Sequence, residues 1–436
     1  MADEDRRSTI EELIASGAII AHKDGNYGSS YPRVEEFGAE GVPFLTAKSL
    51  RDGYVDITGA PRLENTRADQ LTFGFVLADD VLLSHNATIG RVAVVPQHTG
   101  RLLVGTSLTY FRVDPEKLLP RYLAVYFAGK DFQNQLAAVM SHSTRNQVPV
   151  TAQRKLHVVV PPLPDQKAIA AVLGVLDDKI ELNRRMNAKL EDVARALFQS
   201  WFVDFDPVRA KLDGREPVGL DSGTAALFPA TFDETKTGHV PHGWRLGSIY
   251  EIANVIYGAP FSSSRFNSEK LGKPLVRIRD LPNESPAVFT TEVHPKGYLL
   301  HPGDIAVGMD GEFRAYLWAG VESWLNQRVC VFVPQPGYSA SFVRNSIIDP
   351  LAQVEATETA TTVIHLGKSD IDRFTILIPD APVAEAFERQ CQPWYDQIVA
   401  NKQLSRTLAT LRDMLLPKLL SGQLSVADLH DSGVIT

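Results

Sequence analysis

The chain has 436 residues, of which 44% are hydrophobic and 22% are charged, with a formal net charge of −8. This length predicts two domains or more in a globular protein, and no apolar run reaches the roughly 20 residues that span a bilayer. The acidic start differs from a secretory signal, and two distant cysteines exclude a disulfide framework and a zinc ligand set. We therefore expect a cytoplasmic protein with no membrane partner, whose acidic total charge allows nucleic-acid binding only through a local basic face.

Residues 1–163 predict a mixed α/β domain. Short runs of strand type, such as GFVLADDVLLS and RVAVVP, are separated by Gly, Pro, Asp and Asn. A helix is predicted in PRYLAVYFAGKDFQNQLAAVM, because its apolar residues recur at helical spacing. The domain ends on LHVVVPPLP, a last strand that the prolines stop.

A long helix is predicted over residues 164–205. Pro164 and Asp165 supply its start, and apolar residues follow at alternating steps of four and three, which is a heptad seam. Asn183 and Asn187 lie in the middle of this seam. A helix with such a seam needs a partner that covers it. Residues 206–240 have no hydrophobic period and predict a connecting linker loop.

The second half of the chain repeats the first. Pro161 matches Pro379 at an offset of 218 residues, and the same offset pairs Asn183 with Asn401. Three further blocks match in the same order: VPFLTAKSL with KPLVRIRDL, ADDVLLSHN with PGDIAVGMD, and NYGSSYP with IYGAPFS. The repeat predicts a second mixed α/β domain over residues 241–382 and a second long helix over residues 383–425.

These elements predict an α+β fold with an internal pseudo-twofold repeat. Two similar mixed α/β domains are separated by two long helices, and antiparallel packing of the two seams in a coiled coil buries both of them. In that arrangement Asn183, Asn187 and Asn401 meet near the middle, and we predict that they fix the helix register. The alternative for these asparagines is a solvated flank of the helices.

The motifs do not indicate an enzyme. The sequence has no Gly-rich phosphate loop and no pair of metal ligands on a helix, so we expect no catalytic and no metal residues. Polar and basic residues recur instead in loops at matching places of both halves. Asn, Gln and Arg side chains read base edges, and Lys and Arg neutralise phosphates. For any single residue a solvated loop is the commoner explanation, but recurrence at matching positions favours DNA binding. The predicted DNA-binding residues are Asn26, Tyr27, Ser30, Lys48, Ser49, His85, Asn86, Arg91, Arg145, Asn146, Tyr257, Ser263, Arg265, Arg277, Arg279, Asp310, Arg314, Gln327 and Arg328.

Three stretches carry a resemblance to a known family. VVVPPLPDQKAIAAVLGVLDDKIELNRRMNAKLEDVARALFQSWFVDFDPV resembles the central repeat of specificity subunits of type I restriction–modification systems. LRDMLLPKLLSGQLSV resembles the C-terminal repeat of these subunits, and VPHGWRLGSI resembles the start of their second target-recognition domain. The chain departs from the family pattern at GMDGEFRAY, where a Gly is expected after the apolar residue, as in TIGR.

The resemblance implies a non-catalytic subunit of a multisubunit methyltransferase and endonuclease. Each target-recognition domain would read one half of a bipartite duplex DNA sequence, and the helices would set the spacer between the halves. Two modification (methyltransferase) subunits would dock on the helices, and restriction (endonuclease and translocase) subunits would join them. S-adenosylmethionine, ATP and Mg²⁺ would belong to those partners, with no cofactor in this chain. The alternative class is a scaffold whose coiled coil tethers two protein-binding modules.

Overall fold

The computed structural model describes residues 7–51, 53–141, 146–235, 238–357, 364–421 and 423–424. The chain divides into two compact units, Met1–Leu182 with Ser405–Thr436, and Asn183–Leu404. Both unit boundaries fall inside the long helices, so each unit contains part of each helix.

The first unit is built from short strands and helices. Its strands are β1 (Arg7–Thr9), β2 (Ile19–Asp24), β3 (Phe37–Gly38), β4 (Val42–Leu45), β5 (Leu50–Arg51), β6 (Tyr54–Val55), β7 (Arg62–Leu63), β8 (Phe75–Val76), β9 (Val81–Ser84), β10 (Val92–Val94), β11 (Leu102–Val104), β12 (Leu108–Val113) and β13 (His157–Val159). Its helices are α1 (Ile10–Ala15), α2 (Asn65–Ala68), α3 (Pro120–Ala128), α4 (Lys130–Ser141), α5 (Val150–Gln153), the first part of α6 (Leu163–Phe202) and the last part of α11 (Ala381–Leu420).

Two sheets organise the first unit. One has the strand order β10-β9-β12-β2 and the other β3-β7-β4-β11-β8, while β1 pairs with β13 and β5 with β6. Strand β9 is buried along its whole length, in keeping with the three apolar residues that precede Ser84. The single predicted helix over PRYLAVYFAGKDFQNQLAAVM is two helices, α3 and α4, with Gly129 between them. A side chain at Gly129 would collide with Leu416 of the long helix that packs there.

The second unit contains a matching set of elements. Its strands are β14 (Phe232–Thr235), β15 (Gly238–Pro241), β16 (Arg245–Ser248), β17 (Ala253–Tyr257), β18 (Phe266–Asn267), β19 (Lys273–Val276), β20 (Phe289–Thr290), β21 (Leu299–Leu300), β22 (Ile305–Gly308), β23 (Ala315–Leu317), β24 (Ser323–Leu325), β25 (Val329–Pro334) and β26 (Thr375–Ile378). Its helices are α7 (Asp206–Leu212), α8 (Ser222–Ala226), α9 (Ala340–Thr357), α10 (Lys368–Ile371) and part of α11 (Ala381–Leu420), besides the second part of α6.

The strand order of the second unit reproduces that of the first. Its sheets run β23-β22-β25-β17 and β18-β20-β19-β24-β21, and β16 pairs with β26 as β1 pairs with β13. In both units the pair joining the inner strands of the second sheet is parallel, β4 with β11 and β19 with β24. The predicted internal repeat and the mixed α/β character of its two halves are therefore confirmed.

One block of the predicted repeat is wrong. The match of NYGSSYP with IYGAPFS equates Gly28 with Gly258, but the structural counterpart of Gly258 is Gly25. The amide of Gly25 donates to the Leu108 carbonyl (3.4 Å), and that of Gly258 donates to the Val329 carbonyl (2.9 Å). A side chain at either glycine would collide with the backbone of the neighbouring strand connection, whereas Gly28 has open space around it. Close backbone approach, not the adjacent tyrosine, selects the glycine.

The predicted loop over residues 206–240 also differs from the structure. It contains α7, α8 and the β14–β15 hairpin, outside the undescribed residues 236–237. Val208 and Phe228 are fully buried in the core of the second unit together with Trp201 and Trp244. These apolar residues are too few and too unevenly spaced to produce a period, so their burial depends on tertiary packing.

The two long helices pack antiparallel in the second unit. Asn183 contacts the Asn401 carbonyl (3.4 Å) and Asn187 contacts the Ile398 carbonyl (3.5 Å), so residue numbers rise on one helix as they fall on the other. The seam predicted from the heptads is buried at Ala194 and Trp201 in this unit and at Leu173 in the first unit. No described helix of at least 18 residues is apolar enough for a membrane span.

Candidate nucleic-acid interface

Each unit carries a cation at the same position of a short 3-10 turn. The turn Ala47–Ser49 follows β4, and the turn Ile278–Asp280 follows β19, its counterpart. Lys48 and Arg279 are the central residues of these two turns, and both are exposed. Neither side chain has a hydrogen bond or an ion pair to another described residue. We call these segments the cationic turns.

A buried side chain closes each cationic turn. The Ser49 hydroxyl accepts a hydrogen bond from the Thr46 amide (3.1 Å), and the Asp280 carboxylate accepts one from the Arg277 amide (2.9 Å). Asp280 also accepts from the Arg277 guanidinium (3.2 Å). Of the predicted DNA-binding residues here, Ser49 and Arg277 therefore shape the turn, and the central cation is presented to solvent.

A second pair of turns connects β9 with β10 and β22 with β23. These hairpin turns, residues 85–91 and 309–314, each contain a left-handed residue, Ala87 (φ 62°) and Gly311 (φ 81°). The Ala87 amide donates to the Asn146 carbonyl (3.3 Å), and the Gly311 amide donates to the Ile364 carbonyl (3.0 Å). The two hairpin turns thus share one register, and the departure at GMDGEFRAY is the loss of one residue, Gly90, after that shared part.

A distant segment lies against each hairpin turn. Asn86 forms a β-bridge with Gln147, and Asp310 forms the matching bridge with His365. Gln147 and His365 are therefore at the candidate surface although neither was predicted to be there. Gln147 could have been predicted because it adjoins Asn146, which was predicted. His365 could then have been predicted from Gln147, because the repeat offset of 218 residues relates the two.

The strand connections join the two turns within each unit. In the first unit the Ser107 hydroxyl accepts from the Ala47 amide (2.8 Å) of the cationic turn, and its carbonyl accepts from the His85 amide (3.0 Å) of the hairpin turn. In the second unit the Arg328 carbonyl accepts from the Met309 amide (2.9 Å) of the hairpin turn, and the Asn326 amide donates to the carbonyl of Val276 (3.1 Å), where β19 leads into the cationic turn. Each unit therefore holds its cationic turn and its hairpin turn at one edge of the sheets.

The side chains of two predicted residues in the first unit contact backbone carbonyls. His85 is 1% exposed, and its Nδ1 lies 3.2 Å from the Val148 carbonyl. Arg91 donates to the carbonyls of Ala47 (3.0 Å) and Leu50 (3.1 Å), which flank Lys48. The structure thus places the His85 ring beneath the surface, and it commits the Arg91 guanidinium to holding the cationic turn.

The hairpin turn of the second unit carries a charged cluster. Asp310 accepts from the His365 ring nitrogen Nδ1 (2.8 Å) and from the Arg328 guanidinium (3.2 Å). Arg314 pairs with Glu355 (3.1 Å) and with Glu312 (3.4 Å). Asp310 and Arg328 are brought together as a donor and acceptor pair at the surface, whereas Arg314 is directed to α9.

The remaining predicted residues lie in several environments. Tyr27 is buried and its hydroxyl donates to the Val104 carbonyl (2.8 Å), and burial raises the pKa of half-buried Tyr257, which belongs to β17. Arg145 lies outside the described residues. The other predicted residues not yet described are exposed: Asn26, Ser30, Asn146, Ser263, Arg265 and Gln327.

Comparison with known proteins gives consistent matches. The model of the type I restriction modification DNA specificity domain matches residues 32–192. The HindI specificity subunit of Haemophilus influenzae is 24% identical over 388 residues, which cover 77% of this chain and 84% of the relative. The MjaIX specificity subunit of Methanocaldococcus jannaschii is 24% identical over 420 residues, 92% of this chain and 91% of the relative. The chain therefore contains a match to the DNA specificity domain of type I restriction–modification systems, and over most of its length it is similar to specificity subunits.

A solved structure of a type I restriction–modification S subunit, from M. genitalium, is 14% identical with a TM-score of 0.49 and covers 95% of both chains. The matched specificity domain spans most of the first unit and continues along α6. The second unit has the same strand order as the matched part of the first unit.

A buried polar network supports the hairpin turn in the first unit. The His22 Nε2 donates to the Gln153 side-chain carbonyl (3.1 Å), and the Gln153 amide donates to the Thr109 hydroxyl (2.9 Å) and the Val148 carbonyl (3.0 Å). Burial lowers the pKa of His22 to about 4 and lowers the pKa of His85 in the same direction. The segment around Val148, which contacts the hairpin turn, therefore packs against imidazole rings that are neutral.

The described part of the chain has no cluster of three or more His, Cys, Asp or Glu residues arranged for a metal ion. Cys330 and Cys391 are both buried, and burial raises the pKa of each thiol to about 12, which disfavours the nucleophilic thiolate. These side chains are part of the packed core.

Proposed function

We propose that each unit of this specificity subunit reads one half of a bipartite duplex DNA target through its cationic turn and hairpin turn. The observation that carries the proposal is the equivalent placement of Lys48 and Arg279, each exposed at the centre of the same turn in a repeated fold. Arg and Lys make bidentate or single hydrogen bonds to guanine in the major groove and also contact phosphates.

The hairpin turns supply further recognition chemistry. Asn86 and Gln147 carry amides that suit adenine, and Asp310 is an acceptor that suits the amino group of cytosine. The hairpin turns of the two units thus carry different recognition groups on the same fold, which supports different DNA sequences for the two half-sites. The net charge of −8 fits this proposal if partner subunits in a cytoplasmic complex neutralise part of the DNA phosphate.

Removal of either central cation should change one half-site only. Lys48→Ala should weaken discrimination in the half-site of the first unit, and Arg279→Ala in that of the second, each by roughly 1–3 kcal/mol if a base contact is lost. The target is first obtained by mapping methylated adenines in the host. Binding of the assembled complex is then measured on duplexes with single substitutions in each half. Lys296→Ala, an exposed cation elsewhere in the second unit, is the control. An equal loss of affinity for every duplex would instead make these cations phosphate contacts.

The outer faces of the long helices offer two equivalent docking positions. Met186 on α6 and Leu404 on α11 are related by the offset of the repeat and are 38% and 40% exposed. Exposed apolar residues at matching positions suit two copies of one partner. In our proposal two modification (methyltransferase) subunits dock there, restriction subunits join that core, and these partners bring S-adenosylmethionine, ATP and Mg²⁺. The chain itself recognises DNA and catalyses nothing.

A charge at one docking position should remove one methyltransferase copy. Met186→Glu and Leu404→Glu should each reduce the number of bound methyltransferase subunits from two to one, and the double variant should bind none, because a carboxylate would be desolvated in the contact. Native mass spectrometry of the purified complexes measures this. Val218→Glu, at a position 94% exposed, is the control. Loss of both partners should also weaken DNA binding, and two partners on the double variant would refute the docking positions.

A further inference from the structure

Glu284 adopts a left-handed backbone conformation, and the residue at the equivalent position of the first unit is a glycine. Counted from the cationic turns, Glu284 of the second unit corresponds to Gly53 of the first, and both are left-handed, with φ of 51° and 86°. Glycine adopts this conformation without steric cost, whereas a residue with a Cβ does not. A side chain retained at such a position is evidence that the side chain has a role.

The Glu284 side chain is tied to the long helix α11. Glu284 is only 8% exposed, and its carboxylate accepts a hydrogen bond from the Lys402 ammonium (2.8 Å). The same ammonium donates to the Leu317 carbonyl (3.0 Å). Glu284 follows the cationic turn and Leu317 follows the hairpin turn, so Lys402 contacts the two segments that carry the candidate recognition residues.

The Leu317 carbonyl is available because β23 is the edge strand of its sheet. Along β23 alternate carbonyls point away from β22, and those of Ala315 and Leu317 do so. The Ala315 carbonyl accepts from the Arg344 guanidinium (2.9 Å), which also pairs with Glu191 of α6 (3.2 Å). The edge that continues from the hairpin turn is therefore held by one cation on α11 and by another that is paired to α6.

The first unit holds its cationic turn differently. There Arg91, from the hairpin turn, donates to the carbonyls on both sides of Lys48. Arg314 occupies the matching place in the second unit but pairs with Glu355 and Glu312. The second cationic turn thus lacks the arginine clamp of the first, and the contact from Lys402 to Glu284 holds the loop that leaves it.

We infer that Lys402 is a positioning residue for the second half-site, acting through Glu284 and the Leu317 carbonyl on the placement of Arg279. The inference rests on the proposed function, since Arg279 must read DNA for its placement to matter. It makes discrimination in one half-site depend on a residue of the helix pair, beside Asn401, that does not itself lie on the cationic or hairpin turn.

The test uses the full chain assembled with its methyltransferase subunits. Lys402→Met and Glu284→Gly should each reduce discrimination against single substitutions in the second half-site, on the order of tenfold, and leave the first half-site unchanged. Glu284→Gly should keep the melting temperature at or near that of the wild type, because glycine accepts the left-handed conformation. Lys402→Arg, which retains a donor and the charge, should keep most of the discrimination. Lys418→Met removes an exposed cation of the same helix and is the matched control.

The outcomes separate positioning from general stability. A purely structural role would lower the melting temperature or the affinity for all duplexes alike and leave the ratio between native and substituted duplexes unchanged. The inference would be overturned if Glu284→Gly left this ratio unchanged while the wild-type complex still discriminated its target. If the wild-type complex itself does not discriminate its mapped target, the proposed function fails first, and the two failures are distinguishable.

Discussion

Acidification from pH 8 to pH 5 should lower the unfolding free energy of the first unit by roughly 2 kcal/mol through His22 alone. The folded pKa of His22 is about 4, against about 6.5 when exposed, so the unfolded chain binds more protons between these values. Stability therefore rises with pH across this window. The contribution is complete above pH 6.5 and is lost as the pH falls toward 4.

The geometry explains why His22 resists protonation. Its Nε2 already donates to Gln153, so an added proton must go to Nδ1, which is buried and has no hydrogen-bond partner among the described residues. The ring stacks on Phe111 with centroids 4.6 Å apart. Nearby Arg154 and His85 oppose a positive charge and Asp24 favours it, but desolvation is the largest effect.

Hydrogen exchange in urea at pH 5 and pH 8, followed in peptides from β2 and β12, measures the effect within the first unit. His22→Phe should lose stability at pH 8, because Gln153 loses its donor, yet should show a smaller decrease on acidification. His157→Phe, at an exposed histidine of the same unit, is the control. An unchanged decrease in His22→Phe would assign the acid sensitivity to other groups, of which His85 is the first candidate.

Asn401→Leu should destabilise the second unit by roughly 1–3 kcal/mol, because it removes a donor from a buried amide pair. The Asn401 side-chain amide donates to Asn187 (2.8 Å), and its own carbonyl accepts from Gln397 (2.8 Å). Asn183, fully buried, contacts the Asn401 backbone. The asparagines therefore face each other between the helices, and the alternative of a solvated flank is wrong. Their control of register stays a prediction.

Replacing all three asparagines by leucine separates stability from register. The triple variant should recover the lost stability, since apolar residues of similar size replace all three facing amides and the exposed Gln397 can bind water instead. It should also lose its single register, as coiled coils do without a buried asparagine. A slip of one heptad moves one helix by roughly 10 Å along the other.

Spin labels on Arg195→Cys and Gln390→Cys, both exposed and both in the second unit, report this movement. The native thiols of Cys330 and Cys391 are buried and should remain unlabelled. A single distance in the wild type and several in the triple variant are expected. Ala400→Leu, at an exposed neighbour, is the control for urea unfolding. One unchanged distance in the triple variant would show that the apolar seam alone sets the register.

Much of the architecture follows from local patterns in the sequence. The heptad spacing predicts both long helices to within a few residues, because one face of a helix must be apolar to pack against a partner. The repeated blocks predict two similar mixed α/β units, and the block VPFLTAKSL with KPLVRIRDL places Lys48 and Arg279 correctly at equivalent turns. Strand ends and helix seams are encoded by neighbours in the chain, so the sequence by itself determined them.

Only the tertiary structure decided which side chains face solvent at the candidate interface. His85 is buried, Arg91 turns to the backbone of the cationic turn, and His365 joins Asp310 from 55 residues away. Gly25 rather than Gly28 matches Gly258, because a neighbouring backbone leaves no room for a side chain. Polar side chains choose partners that sheet topology brings close across long stretches of chain. The residue types alone therefore carry no signal for which of them read DNA and which hold the loops in place.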